Sequence, residues 1–240
     1  MSKVQRAALD HADLRAQLVR QAQRLQPLGL ASGSSGNLSV RIAGGTDAGE
    51  HGSEHGGMLI TPSGIAYDTL QPADMVAVAF TGPGTARWDH PLDPSSEWLM
   101  HQAVYQARPE AGAVVHGHPT YATVLAIQGL EIGPLHYMIA AAGGASIRCA
   151  PYFTYGTAEL SQAAVAALVG RKACLLAHHG LLAFERDLDR AMWLAAEVET
   201  LAQQTFMCLQ LGGPKLLPLA EIDRVVAKFS AYGLKAKSAD

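Results

Sequence analysis

Positive charge is scarce in this chain: 18 Lys and Arg stand against 21 Asp and Glu in 240 residues, giving a formal net charge of −3 and a pI near 6.3. Without a basic field, nucleic acid and anionic membrane surfaces are excluded as principal partners, so any anion must be held by local geometry. Charge of either sign is thin, at 16% of residues against roughly 25% in ordinary domains. The 49% hydrophobic content then excludes a disordered or fibrous chain. Cysteine is nearly absent. Cys149, Cys174 and Cys208 are odd in number and far apart, which excludes a disulfide framework and points to a reducing, cytoplasmic setting. Long apolar runs are missing too. The uncharged stretch from Ile132 to Ile147 is broken by Pro134, His136, Gly133, Gly143 and Gly144, and falls short of the roughly 20 residues of a membrane span. Met1 to Arg20 carries charges throughout, with no apolar leader core.

What is present reads as one mixed α/β domain, residues 1–240, with a central, largely antiparallel sheet flanked by helices. Leu14, Leu18, Ala22 and Leu25 recur at helical spacing until Pro27 and Gly29. Leu38–Ile42, Met58–Thr61 and Met75–Phe80 predict an antiparallel meander. Between the first two lies Ala43–Gly57, with six glycines and a near-repeat around His51 and His55; its composition predicts a flexible loop. Asp93-Pro94-Ser95-Ser96 predicts an N-cap and first turn of a helix reaching Ala107. Val114 and Val115 lead a strand into His116-Gly117-His118-Pro119, and a helix follows to Ile127. The second half runs strand (147–150), helix (157–169), strand (173–177), His178-His179-Gly180, strand (181–184), and helices over 188–211 and 220–232. Residues 233–240 form a polar tail.

Three of the ten histidines stand where strands should end. His116 and His118, two apart on a strand, leave the same face and can converge on one ion, and paired imidazoles suit zinc or a neighbouring divalent metal. Two satisfied polar groups at a strand end would read the same way. Adjacent strand residues face opposite ways, so at most one of His178 and His179 should join. Glu97, at the opening of the helix after Pro94, offers a carboxylate, a position the helix dipole favours with or without a metal. Ser95 and Ser96 lie beside it, where a phosphate would be held. Two further loops, Gly33-Ser34-Ser35-Gly36-Asn37 and Thr61-Pro62-Ser63-Gly64, have the composition of anion cradles or of plain turns.

Several of these segments resemble, in order and over nearly the whole chain, the class II aldolase/adducin family. They are Gly36-Asn37-Leu38-Ser39-Val40-Arg41, Ile60-Thr61-Pro62-Ser63-Gly64, Pro94-Ser95-Ser96-Glu97-Trp98, Val114-Val115-His116-Gly117-His118, His136-Tyr137 with the run to Gly144, and His178-His179-Gly180-Leu181. The resemblance implies a zinc-dependent lyase. It would split a ketose 1-phosphate, such as L-fuculose 1-phosphate, into dihydroxyacetone phosphate and an aldehyde such as lactaldehyde. It implies Glu97, His116, His118 and His179 as zinc ligands, with Gly36, Asn37, Ser63, Gly64, Ser95 and Ser96 around the phosphate and ketone end. It implies a homotetramer with sites between subunits, Glu97 as acid/base, and Tyr137 reaching a neighbouring site to act on the aldehyde oxygen. Phe229 and Tyr232 match aromatics of a segment that covers the pocket. The Gly-rich loop and Lys235, where an arginine is expected, depart from the pattern and bear on substrate identity. Aldolases for 5-deoxy- or 5-methylthio-pentulose 1-phosphates differ only at the far end of the substrate. Epimerases of the family tend to carry Asp at the Glu97 position, decarboxylase and dehydratase branches share the metal set, and non-catalytic adducin-like heads lack it.

Overall fold

The computed structural model describes residues 11–33, 35–42 and 56–231. The flexible loop expected over 43–57 falls, up to residue 55, outside the described residues, as do Ser34, Tyr232, Lys235 and the tail.

Short β-branched and apolar runs form eight strands: β1 Asn37–Ile42, β2 Gly57–Ile60, β3 Val76–Gly82, β4 Thr85–Arg87, β5 Ala113–Gly117, β6 Cys149–Ala150, β7 Ala173–Leu176 and β8 Gly180–Glu185. They make one sheet in the order β4-β3-β2-β1-β5-β8-β7-β6. Every pairing is antiparallel except β6 with β7. The first three strands are the expected meander, β4 extends it by a strand the sequence reading did not include, and β5 returns beside β1.

Alternation then sorts side chains to two faces. Leu38, Val40, Leu59, Val115, Leu175 and Leu181 point to one face, which packs against α1 Ala12–Ala22, α3 Thr120–Ile127 and α5 Leu188–Gln210. Met58, Ile60, Val76, Val78, Val114, Leu182 and Phe184 point to the other, under α2 Trp98–Ala107 and α4 Ala158–Ala167. Each fully buried Leu, Ile or Val contributes roughly 1.5–3 kcal/mol. Local chemistry starts two of these helices: Thr157 Oγ1 accepts from the Leu160 amide at 3.2 Å, and Asp187 Oδ1 from the Arg190 amide at 2.9 Å. The last helix, α6 Leu219–Ala231, lies over the 3₁₀ turn Tyr137–Ala142. Ile139 and Ala140–Ala142 are buried there in the chain's own core, so this small-residue run packs internally. Phe229 also rests against that core.

The opening of α2 corrects the sequence reading. Asp93 is not its N-cap and Pro94 is not in its first turn. Pro94 bridges to Pro62, and the Ser95 amide donates to Thr61 O at 3.0 Å, so this segment is tied to the 61–64 loop and helical geometry begins only at Trp98. Glu97 is the N-cap residue, yet its side chain makes no cap hydrogen bond. It is turned elsewhere.

Candidate metal centre and substrate cavity

One end of the sheet collects the functional side chains, because β5 ends there while β1 and β8 begin there. Asn37 opens β1 and pairs with His116 of β5, which also pairs with Leu182 of β8. His118 follows the end of β5. Its amide donates to Leu30 O at 2.9 Å, and the helix behind it is held by Glu199, whose carboxylate accepts from the Tyr121 and Ala122 amides at 2.9 and 2.8 Å. His179 comes from the turn between β7 and β8, not from a strand. His178 takes the left-handed conformation, φ 54°, a strained geometry for a residue with a Cβ. The chain reverses there: His179 enters the site, and the His178 ring packs edge-on against Tyr152, 5.9 Å between centroids. One histidine of the pair joins, for a turn's reason rather than a strand's alternation.

Glu97, His116, His118 and His179 each offer a ligand atom, and these atoms all lie within 4.8 Å of one another. His116 Nε2 is 2.9 Å from His118 Nε2 and 3.1 Å from Glu97 Oε2, and His179 Nε2 is 3.3 Å from Glu97 Oε1. A tetrahedral site with bonds of about 2.0–2.1 Å separates its ligands by about 3.3 Å. The set therefore fits a metal. Two further observations support the fit. Glu97 Oε1 is buried without a hydrogen-bond partner, an orphaned acceptor that a cation would satisfy. His116 Nδ1 lies 2.8 Å from Leu181 O; a carbonyl only accepts, so Nδ1 carries the hydrogen and Nε2 faces the cluster with its lone pair, as a metal-binding histidine requires.

The electrostatics agree. Burial opposes the Glu97 charge, but the rings of His116 and His179 and the Asn37 amide hold the carboxyl far below its usual range. Burial likewise opposes a charged His116, yet Glu97 outweighs it and raises that ring's pKa. Burial and the neighbouring His116 push His118 and His179 each down to about 4, leaving both neutral near pH 7, the form a metal requires.

The cluster opens into a cavity of about 390 Å³ lined by all three polar loops: Ser35, Gly36 and Asn37, then Pro62, Ser63 and Gly64, then Ser95, Ser96 and Glu97. None of its described lining residues is Lys or Arg. Gly36 is demanded by geometry. Its φ is +85°, and a Cβ there would meet His116 O at 2.8 Å. Its carbonyl accepts from the buried Tyr67 hydroxyl, whose pKa is raised by burial and then by Glu97. Two amides in these loops are spent on holding them together, Ser63 N to Asp93 O and Ser95 N to Thr61 O, both 3.0 Å. Ser96 and Gly64 are exposed at the cavity.

Tyr137 does not line this cavity; its ring lies against His136 and is 51% exposed. Phe229 is also absent from the lining. Sequence reasoning passed over Tyr152, Phe153 and Tyr155, which form an aromatic wall. Three aromatics within four residues, in a chain only 6% aromatic, were a readable signal. It also passed over Tyr67 and His101.

Comparison with known proteins decides the family. The Class II Aldolase and Adducin N-terminal domain matches residues 16–206. The chain belongs to this family. This class II aldolase is 48% identical over 224 residues to a 5-methylthioribulose-1-phosphate/5-deoxyribulose-1-phosphate aldolase of Rhodospirillum rubrum, covering 93% of this chain and 94% of that one. It is 43% identical over 228 residues to the L-fuculose phosphate aldolase of Escherichia coli K12, covering 95% and 99%. Among solved structures it is similar to an L-fuculose 1-phosphate aldolase, with a TM-score of 0.81 at 37% identity over 91% of this chain and 97% of that one. The aldolase is thus a metal-dependent lyase whose Glu and three His form a cluster able to hold the ion. Among the described residues, no helix is long and apolar enough to cross a membrane.

Proposed function

We propose that the enzyme cleaves a ketose 1-phosphate between C3 and C4, releasing dihydroxyacetone phosphate and a short aldehyde, with one zinc ion held by Glu97, His116, His118 and His179. The observation that carries this reading is the Glu/His₃ cluster opening into a cavity built from three short polar loops, each with serine and none with Lys or Arg among the described lining residues. Bound there, the metal would act as a Lewis acid, stabilising the negative charge that spreads onto the substrate's C2 oxygen.

The rest falls to the protein. Gly36, Asn37, Ser63, Gly64, Ser95 and Ser96 surround the phosphate and ketone end with hydroxyls, an amide and backbone N–H groups, binding the dianion by directed hydrogen bonds. As the C3–C4 bond breaks, the C4 hydroxyl loses its proton and becomes the aldehyde; Tyr137, as its phenolate, takes that proton and passes it to solvent. Glu97, beside the carbon that gains charge, takes up a proton from solvent and delivers it to C3, so the proton lost at the C4 oxygen is matched by the one gained at C3. No Schiff-base lysine is needed.

Tyr137 serves a neighbouring chain in this reading, and the enzyme is a homotetramer with sites between subunits. Its exposure and its place outside its own chain's cavity support this assignment. L-Fuculose 1-phosphate, giving lactaldehyde, is one substrate of the right kind. The relative at 48% identity supports 5-deoxy- and 5-methylthio-pentulose 1-phosphates equally well. The wall of Tyr152, Phe153 and Tyr155 suits the apolar end that these aldehydes share.

The test is to assay zinc-loaded enzyme against these ketose 1-phosphates and identify the aldehyde released. Absence of dihydroxyacetone phosphate from every one overturns the reaction, and equal turnover of the unphosphorylated ketose overturns the phosphate site. Tyr137→Phe should keep fold, zinc and oligomer while slowing cleavage 10²- to 10⁴-fold. Mixing it with Glu97→Gln chains should restore activity where an intact tyrosine meets an intact centre; mixed oligomers without activity overturn the shared site.

A further inference from the structure

From Glu97 a row of buried polar side chains runs into the protein toward α2, and beyond Asn37 its members have no part in the cleavage steps. Glu97 Oε2 accepts from Asn37 Nδ2 at 3.0 Å. Asn37 Oδ1 lies 2.5 Å from His101 Nε2, His101 Nδ1 lies 2.7 Å from Ser39 Oγ, and Ser39 Oγ lies 2.7 Å from Tyr105 OH. Ser39 and His101 are wholly buried, and Asn37 and Tyr105 nearly so.

Hydrogen-bond bookkeeping gives this row a single direction. An ionised carboxylate only accepts, so Asn37 must present its N–H₂ to Glu97. Its Oδ1 then faces His101 and can only accept, so His101 Nε2 carries the hydrogen. In a neutral ring Nδ1 is then bare, so the Ser39 hydroxyl donates to it, and the Tyr105 hydroxyl donates in turn to Ser39. A turned Asn37 would aim its carbonyl at the carboxylate, leaving two buried acceptors face to face, an arrangement that burial penalises.

We propose that His101, its bare Nδ1 satisfied by Ser39 and Tyr105, is a positioning residue: it locks the Asn37 amide so that its N–H₂ holds the Glu97 carboxylate in place for metal binding and proton transfer. The role in proton transfer rests on the reaction proposed above; the role in metal binding does not. Outer-shell partners of this kind are worth 10- to 100-fold in metal affinity or activity.

The test uses the full-length protein. Nitrogen-15 NMR of the metal-free form should show the His101 ring protonated at Nε2 alone. Ser39→Ala, which leaves the bare Nδ1 without its donor, should loosen the ring, with zinc affinity by chelator competition and kcat each lowered about 10- to 100-fold. His101→Leu should do at least as much. Tyr105→Phe, nearly isosteric, should move the same readouts in the same direction by less, and covers the case in which His101→Leu does not fold. Variants that melt earlier but keep wild-type zinc affinity and kcat would make the row merely structural and overturn the proposal, as would a wild-type ring protonated at Nδ1. Wild-type protein that binds zinc but cleaves no ketose 1-phosphate would refute the proposed reaction instead, and zinc affinity in the variants would then decide the positioning role alone.

Discussion

The two faces of the sheet are made by the same strands and packed under helices of similar kind, yet they differ where β1 passes between them. Toward α1 and α5, β1 presents Leu38 and Val40 to an apolar core. Toward α2 it presents Asn37, Ser39 and Arg41, and all three are partnered within the protein. Arg41 caps the end of α2 through the carbonyls of Tyr105 and Arg108 at 2.7 and 2.9 Å, with its guanidinium 4.7 Å above the Tyr105 ring. Ser39 and Asn37 continue that polar seam to Glu97. The apolar face shows that this sheet can be buried without polar groups, whose burial is costly unless every member is satisfied. The polar seam ends on Glu97 of the cluster able to hold a metal, where orientation matters more than area.

The comparison predicts that damage to one face removes chemistry and damage to the other removes stability. The largest effect belongs to His116→Ala. Losing a ligand should empty the metal centre and cost the several kcal/mol a Lewis acid supplies, about 10³-fold or more in kcat/KM; wild-type metal content by elemental analysis would break the assignment. On the other face, Leu175→Ala should destabilise the fold by about 2–5 kcal/mol, read in urea, while the zinc affinity of the folded protein stays at the wild-type value.

Acid should find the polar side first. Burial lowers the His101 pKa to about 3 in the folded state, against about 6.5 unfolded. Between these values the unfolded chain binds a proton that the native one refuses. The contribution to stability is therefore complete above about pH 6.5 and is lost as pH falls toward 3, at up to about 1.4 kcal/mol per pH unit. Denaturant melts of metal-free protein at pH 7 and pH 5 check the sign, and His101→Leu should flatten part of that slope.

Ser96→Ala should weaken binding of the phosphorylated substrate by roughly 1.5–3 kcal/mol, one charge-assisted hydrogen bond, with metal content unchanged. The smallest effect is expected from replacing His51 and His55 together by Ala. A segment so rich in glycine cannot pre-organise a site, so turnover and zinc content should stay near wild type.

Much of the site was legible because its signals are local. Two histidines at i and i+2 after an apolar strand, three short serine-bearing polar loops, and a carboxylate beside a helix start can each be read within a few residues. Their convergence could be expected only from the resemblance of the whole motif series. The start of α2 was misread because Asp93-Pro94-Ser95 has good capping chemistry, and only the pairing of Pro94 and Ser95 with the distant 61–64 loop overrides it. Strand alternation allowed at most one of His178 and His179 to join and the resemblance named His179, whereas the device that brings His179 to the cluster is a left-handed residue in a hairpin turn. His101 stayed invisible because a histidine on a helix, without its neighbours, carries no sign of a partner 64 residues away.

By itself, then, the sequence determined the mixed α/β class, the meander, the ligand types and the absence of a basic anion clamp, since periodicity, turn residues and charge are properties of short segments. The tertiary structure decided what those segments do together. It turned Glu97 away from capping its own helix and toward three histidines from the end of β5 and the β7–β8 turn. It buried Asn37 and Ser39 of β1 against His101 and Tyr105 in a row of hydrogen bonds. Those outcomes depend on which elements cover which face and at what distance. Long-range packing sets those distances, and no local pattern encodes them.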